Sequence, residues 1–221
     1  MKNVHLHVAN ASGALTPQLD KIQSAFRRAT ATCFELLQLD DIDILCTNEP
    51  EAVIPEIGMG GFTVDKHLIY FPVDASKELD EDEMYATICH EFHHAKRYYG
   101  PGKGKTLFDA MVCEGLATCF EEEVSKGTAF LPNHLKSLPY ELLLTQKALS
   151  HFDDTDYNHY KWFIEDDSNE LPRWTGYTIG YHIIHNYMTA YNKKASELVL
   201  ETSDTIRRFL RGTLKGDTSS S

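Results

Sequence analysis

The sequence predicts an α+β fold, and three observations lead there. Short stretches in the first third alternate polar and apolar residues with the two-residue period of a strand. A long segment between the first two of these has the spacing of a helix. From Asp80 onward helical signals replace strand signals almost everywhere.

Residues 3–8 (Asn-Val-His-Leu-His-Val) read as the first strand, and Thr16-Pro17 opens an apolar-periodic helix running to about Leu39. Ile42 to Thr47 is a second strand. Gly60-Gly61-Phe62-Thr63-Val64 and His67-Leu68-Ile69-Tyr70-Phe71, separated by Asp65-Lys66, predict a hairpin. The first half is thus a small sheet with a helix packed on it. Beyond Asp80, stops at Gly100-Pro101, Gly127, Pro132 and Leu171-Pro172 divide the chain into about five or six helices. These boundaries give an N-terminal α/β lobe at 1–99, a helical lobe at 100–212 and a disordered tail at 213–221.

At 221 residues the chain is long enough to bury a core without staples. No run approaches the roughly 18–20 apolar residues of a membrane span, and the first residues lack the apolar core of a signal peptide, so a soluble, cytoplasmic protein is expected. The five scattered cysteines, Cys33, Cys46, Cys89, Cys113 and Cys119, form no C-x-x-C pair and read as free thiols. A net charge of -12 repels phosphate backbones, and the only basic group, Arg207, Arg208 and Arg211, reads as a solvated helix face. Neither nucleic acid nor membrane is an expected partner.

The chemistry concentrates at His90-Glu91-Phe92-His93-His94, an H-E-x-x-H pattern. On a helix, imidazoles four residues apart lie within about 40° of one another, so both reach one ion. Asp80 as N-cap, acidic residues at 81–83 and the Gly100-Pro101 stop make the helix credible. Met84, Ile88, Phe92, Ala95 and Tyr99 form an apolar stripe opposite the histidines, so one face is expected to be buried and the other presented. Glu91, about 100° round from His90, is placed to take a proton from a metal-activated water. Catalytic zinc wants a third protein ligand and an open position. Glu114 supplies that ligand from the next helix, Thr106 to about Lys126, which Thr106 and Asp109 cap and Gly127 ends.

These residues resemble the gluzincin metallopeptidases, and in particular the predicted Zn-dependent proteases of the YjaZ-like family. The matching segments are His90–His94, Cys113-Glu114-Gly115-Leu116-Ala117 with Phe120, and Trp174-Thr175-Gly176-Tyr177-Thr178-Ile179-Gly180-Tyr181. The resemblance implies a zincin-like fold: a small N-terminal mixed sheet with its packed helix above an active-site helix, and a mainly helical C-terminal lobe. It implies Zn2+ held by His90, His94 and Glu114, Glu91 as general base, and a peptide or protein substrate along the hairpin's edge strand. Tyr177, in a Tyr-x-x-Gly segment, is the implied donor to the oxyanion, with His182 as substitute. Where some gluzincins carry an acidic residue four positions after the glutamate ligand, this chain has Thr118, which would orient an imidazole instead.

Several neighbours have plainer readings. His93 is expected to be a surface histidine or to support a ligand, Arg97 to pair with a carboxylate, and Asp153, Asp154 and Asp156 to form an exposed helix start rather than a calcium loop. Two rivals to a zinc peptidase share the sequence: a non-catalytic zinc-binding module that holds a partner, and a purely structural helical protein.

Overall fold

The structure is a computed structural model and describes residues 3–139, 143, 146–165 and 171–217. It is mixed α+β, with one four-stranded sheet and, among the described residues, eight named α-helices. The chain divides into two units, Met1–Gly100 with Phe120–Phe130, and Pro101–Cys119 with Leu131–Ser221.

In the first unit, β1 (Val4–Ala9) leads through α1 (Leu19–Leu37) into β2 (Ile42–Asn48), a βαβ crossover that makes the two strands parallel. β3 (Phe62–Asp65) and β4 (Leu68–Val73) form the hairpin, β4 pairing parallel with β2 and antiparallel with β3. The order is β1-β2-β4-β3, so β3 is an edge strand. Along α1 the buried residues Ile22, Ala25, Phe26, Ala29, Cys33 and Leu37 recur at three- and four-residue intervals, one stripe facing the core. The strands turn Ile42, Ile44, Cys46, Ile69 and Phe71 to the interior.

Pairing across the sheet sets Leu6 beside Ile44, Ile44 beside Ile69 and Ile69 beside Thr63. That row faces inward, so Thr63 is buried while Phe62 and Val64 are 57% and 44% exposed. The apolar members of β3, Phe62 and Val64, therefore point out while Thr63 points in, the reverse of ordinary patterning.

α2 (Glu81–Arg97) starts where the Asp80 side chain accepts a hydrogen bond from the Glu83 N–H at 2.8 Å. It packs on α1 through Thr32 and Tyr85, whose hydroxyls lie 3.1 Å apart, and through Arg28, which bonds Glu81 and Asp82. One expectation is corrected here. Of the apolar stripe Met84, Ile88, Phe92 and Ala95 are buried while Tyr99 is 40% exposed, and His90, Glu91, His93, His94 and Arg97 are buried as well, because β3 and residues of the following helix cover the histidine face.

α3 (Leu107–Ser125) opens with a reciprocal cap: the Asp109 N–H donates to the Thr106 hydroxyl at 3.1 Å and the Thr106 N–H to the Asp109 carboxylate at 3.0 Å. It is followed by α4 (Phe130–Lys136), α5 (Gln146–Ser150), α6 (His159–Phe163), α7 (Thr175–Tyr191) and α8 (Ser203–Asp217). Seven named helices among the described residues after Asp80 exceed the five or six expected, since α5 and α6 are five residues each and too short to leave a periodic signal. Asp153, Asp154 and Asp156 precede α6 without starting it. Asn158 is its cap, accepting from the Lys161 N–H at 3.1 Å.

In the second unit α3 crosses α7 at two glycines. A methyl group on Gly180 would lie 2.1 Å from the Met111 carbonyl oxygen, and one on Gly115 would lie 2.4 Å from the Gly180 carbonyl. Arg207 of α8 lies over the Phe108 ring and pairs with Asp153, so it is half-buried rather than part of a solvated face. Of the expected tail, residues 218–221 lie outside the described residues. No helix among the described residues is long and apolar enough to cross a membrane.

Candidate metal centre

One turn of α2 places His90 and His94 on the same side, with their Nε2 atoms 3.1 Å apart and their rings steeply inclined. Two nitrogens bound to one tetrahedral zinc at about 2.0–2.1 Å would be roughly 3.3 Å apart, so the pair fits such an ion with little adjustment. A ligand atom of Glu91 completes a set in which all three lie within 4.8 Å of one another.

The other nitrogen of His90 is fixed as well. His90 Nδ1 lies 3.0 Å from Glu121 Oε2, and Glu121 is only 2% exposed. Donating Nδ1–H to this carboxylate would leave the lone pair on Nε2, the nitrogen that faces His94. Thr118, expected to orient an imidazole, instead buries a hydroxyl with no hydrogen-bond partner among the described residues. The acidic support sits seven positions after Glu114, two helical turns along, rather than four. That i, i+7 spacing was the available signal.

Glu91 is buried, and its carboxylate Oε2 accepts a hydrogen bond from the Thr63 hydroxyl at 2.7 Å; the same hydroxyl is 3.0 Å from the Glu91 carbonyl oxygen. Gly61, two residues back on the approach to β3, leaves the space beside it: a methyl there would meet Glu91 Cγ at 2.4 Å and Oε1 at 2.5 Å. Nothing in local sequence marks Thr63, because a strand's inward face depends on its pairing partner.

His93 is fully buried rather than at the surface, with its ring 5.5 Å from Phe120. Further out, Glu83 of α2 accepts the Phe130 N–H on both carboxylate oxygens, at 3.1 and 2.9 Å. Burial, and then the negative charge of Glu121, push the Glu83 carboxyl up to about 7.

The second unit holds the other sequence-predicted residues. Glu114 is buried on α3. Tyr177 of α7 sets its ring against Phe163 and Trp174, with centroids 5.2 and 5.5 Å away. His182 is half-buried, with Nε2 3.4 Å from the Leu135 carbonyl oxygen. Tyr157, not singled out in the sequence, belongs near Glu114: burial, and then the charges of Glu114 and Asp109, push its phenol up. All five cysteines are buried thiols, and burial pushes the Cys46 thiol up to about 12.

Comparison with curated proteins and with solved structures gives no match. Comparison with family models gives one, covering residues 22–208, which includes every candidate residue named above. The chain belongs to the family described as predicted Zn-dependent protease (DUF2268).

Proposed function

We propose that the protein is a zinc metallopeptidase of gluzincin type, similar to the YjaZ-like proteases, that hydrolyses peptide bonds with Glu91 as general base. The observation that supports this most is the His90/His94 pair, with Nε2 atoms 3.1 Å apart, backed by Glu121 and flanked by Glu91. His90 and His94 would hold the ion together with Glu114. Glu114, the third ligand that the resemblance implies, is a buried carboxylate on α3. Two imidazoles and a carboxylate suit zinc. Zinc, when bound, polarises the scissile carbonyl and lowers the pKa of the attacking water.

The chain's own groups do the rest. Glu91 removes the proton of the water and delivers it to the leaving amine. Tyr177 donates a hydrogen bond to the developing oxyanion, with His182 as substitute. The substrate adds as an extended strand to the open edge of the sheet at β3, the strand that touches Glu91.

The test is turnover of a peptide library by zinc-loaded protein. His94→Ala should lose one-to-one zinc and activity together. Glu91→Gln should keep zinc and lose about 10³-fold or more in kcat. Tyr177→Phe should lose kcat more than Tyr157→Phe. Full activity in Glu91→Gln removes the proposed base, and saturable peptide binding without products in the wild type replaces the peptidase with a binding module.

A further inference from the structure

Glu91 stands in an ambiguous place. Its carboxylate lies close enough to the ligand atoms of His90 and His94 to belong to a metal-binding group with them. A glutamate side chain is long and freely rotating, and carboxylate is a good zinc ligand. A base that swings onto the metal is no longer a base.

Thr63 of β3 restrains that movement, and Gly61 just before the strand leaves the carboxylate the space it is held in. The Thr63 hydroxyl donates to Oε2 at 2.7 Å, a short, charge-assisted bond, from a side chain only 1% exposed. Threonine is β-branched and stiff about χ1, so the donor's direction is set by the strand. At Gly61 the missing side chain leaves room for Cγ and Oε1, which any methyl would displace. Thr63 is directed inward because the pairing Thr63–Ile69 continues the inward-facing row of Leu6, Ile44 and Ile69, whose last two members are buried.

We propose that Thr63 is a positioning residue that tethers Glu91 Oε2 to the edge strand, keeping Glu91 out of the metal's ligand set and leaving its other oxygen for the water. The proposal rests on the zinc reading of His90 and His94 above, and its principal readout is metal coordination, which does not require turnover.

The test loads wild type, Thr63→Val, Thr63→Ser and Thr63→Val/Glu91→Gln with cobalt(II) and records visible absorption and cobalt affinity. In Thr63→Val the freed carboxylate should join the ion: the absorption weakens as coordination number rises, and affinity tightens by about tenfold. Thr63→Ser restores the hydroxyl and should match wild type. Adding Glu91→Gln should abolish the change. In peptide turnover Thr63→Val should lose kcat by about 10²-fold with KM nearly constant. Gly61→Ala, at an exposed position, displaces the same carboxylate and gives a second readout should Thr63→Val fold poorly. Wild-type cobalt spectra in both Thr63→Val and Gly61→Ala overturn the proposal, as does a Thr63→Ser variant as impaired as Thr63→Val. Wild-type protein that binds no cobalt or zinc overturns the zinc reading and this proposal together, whereas loaded protein indifferent to Thr63 overturns only the latter.

Discussion

His90 on α2 and Glu121 on α3 meet through Nδ1 and Oε2 at 3.0 Å, both side chains buried. The contact joins two helices and at the same time selects the tautomer of a proposed ligand. Removing the carboxylate should therefore cost metal affinity before it costs fold. Glu121→Ala is expected to weaken zinc binding by about 10–100-fold, measured by competition with a chromophoric chelator. Glu121→Gln, whose amide oxygen can still accept from Nδ1–H, should fall between wild type and Glu121→Ala. Equal zinc affinity in all three proteins would mean that Glu121 has no hold on the site.

The glycine crossing of α3 and α7 gives a prediction about stability with an internal control. Alanine favours a helix over glycine by about 1 kcal/mol, so Gly→Ala inside a helix stabilises wherever the methyl has room. Gly212 in α8 has nothing within 4 Å of such a methyl, and Gly212→Ala should stabilise by about 0.5–1 kcal/mol. At Gly180 the methyl would lie 2.1 Å from the Met111 carbonyl oxygen and 3.3 Å from the Gly115 nitrogen, both backbone and unable to move aside cheaply. The clash exceeds the propensity gain. Gly180→Ala should destabilise by about 2–4 kcal/mol in urea unfolding. Changes of the same sign at both positions would contradict the close crossing.

What the sequence made legible follows the range of the interactions involved. The strands, α1, α2 with its Asp80 cap, and α3 with its Thr106 and Asp109 cap are local patterns, and they sit where periodicity and capping place them. The H-E-x-x-H pair is local too, and a single turn of helix brings its nitrogens together. Thr63 could not be read that way, and Glu121 only through its i, i+7 spacing from Glu114. Each acts on α2 from a distant part of the chain, and the inward direction of Thr63 is decided by its register against Ile69. The burial of the histidine face has the same origin, since amphipathicity within α2 cannot announce what other segments will cover it. One-turn helices such as α6 escape detection because five residues hold no period.

Glu83 connects the buried acids to the pH dependence of stability. Its carboxyl, ordinarily near 4.5, is pushed up to about 7 by burial and by the charge of Glu121. In the native state it therefore binds a proton between those values that the unfolded chain has released. Where the native state binds more protons, stability falls as pH rises, so this group lowers stability progressively from about pH 4.5 through 7 and by a constant amount above. Glu83→Gln does not titrate and keeps an oxygen for the Phe130 N–H. Near pH 5 the variant and wild type should unfold at similar temperatures. By pH 8 the variant should be the more stable, by on the order of 1 kcal/mol once solvent screening of this half-buried group is allowed for. The double variant Glu83→Gln/Glu121→Gln separates the causes: if the charge of Glu121 contributes, the gain from Glu83→Gln at pH 8 shrinks when Glu121 is already neutral. Thermal unfolding from pH 5 to 8 reads all of this, and a wild-type-to-Gln gap that stays flat across that range would show that Glu83 does not titrate there.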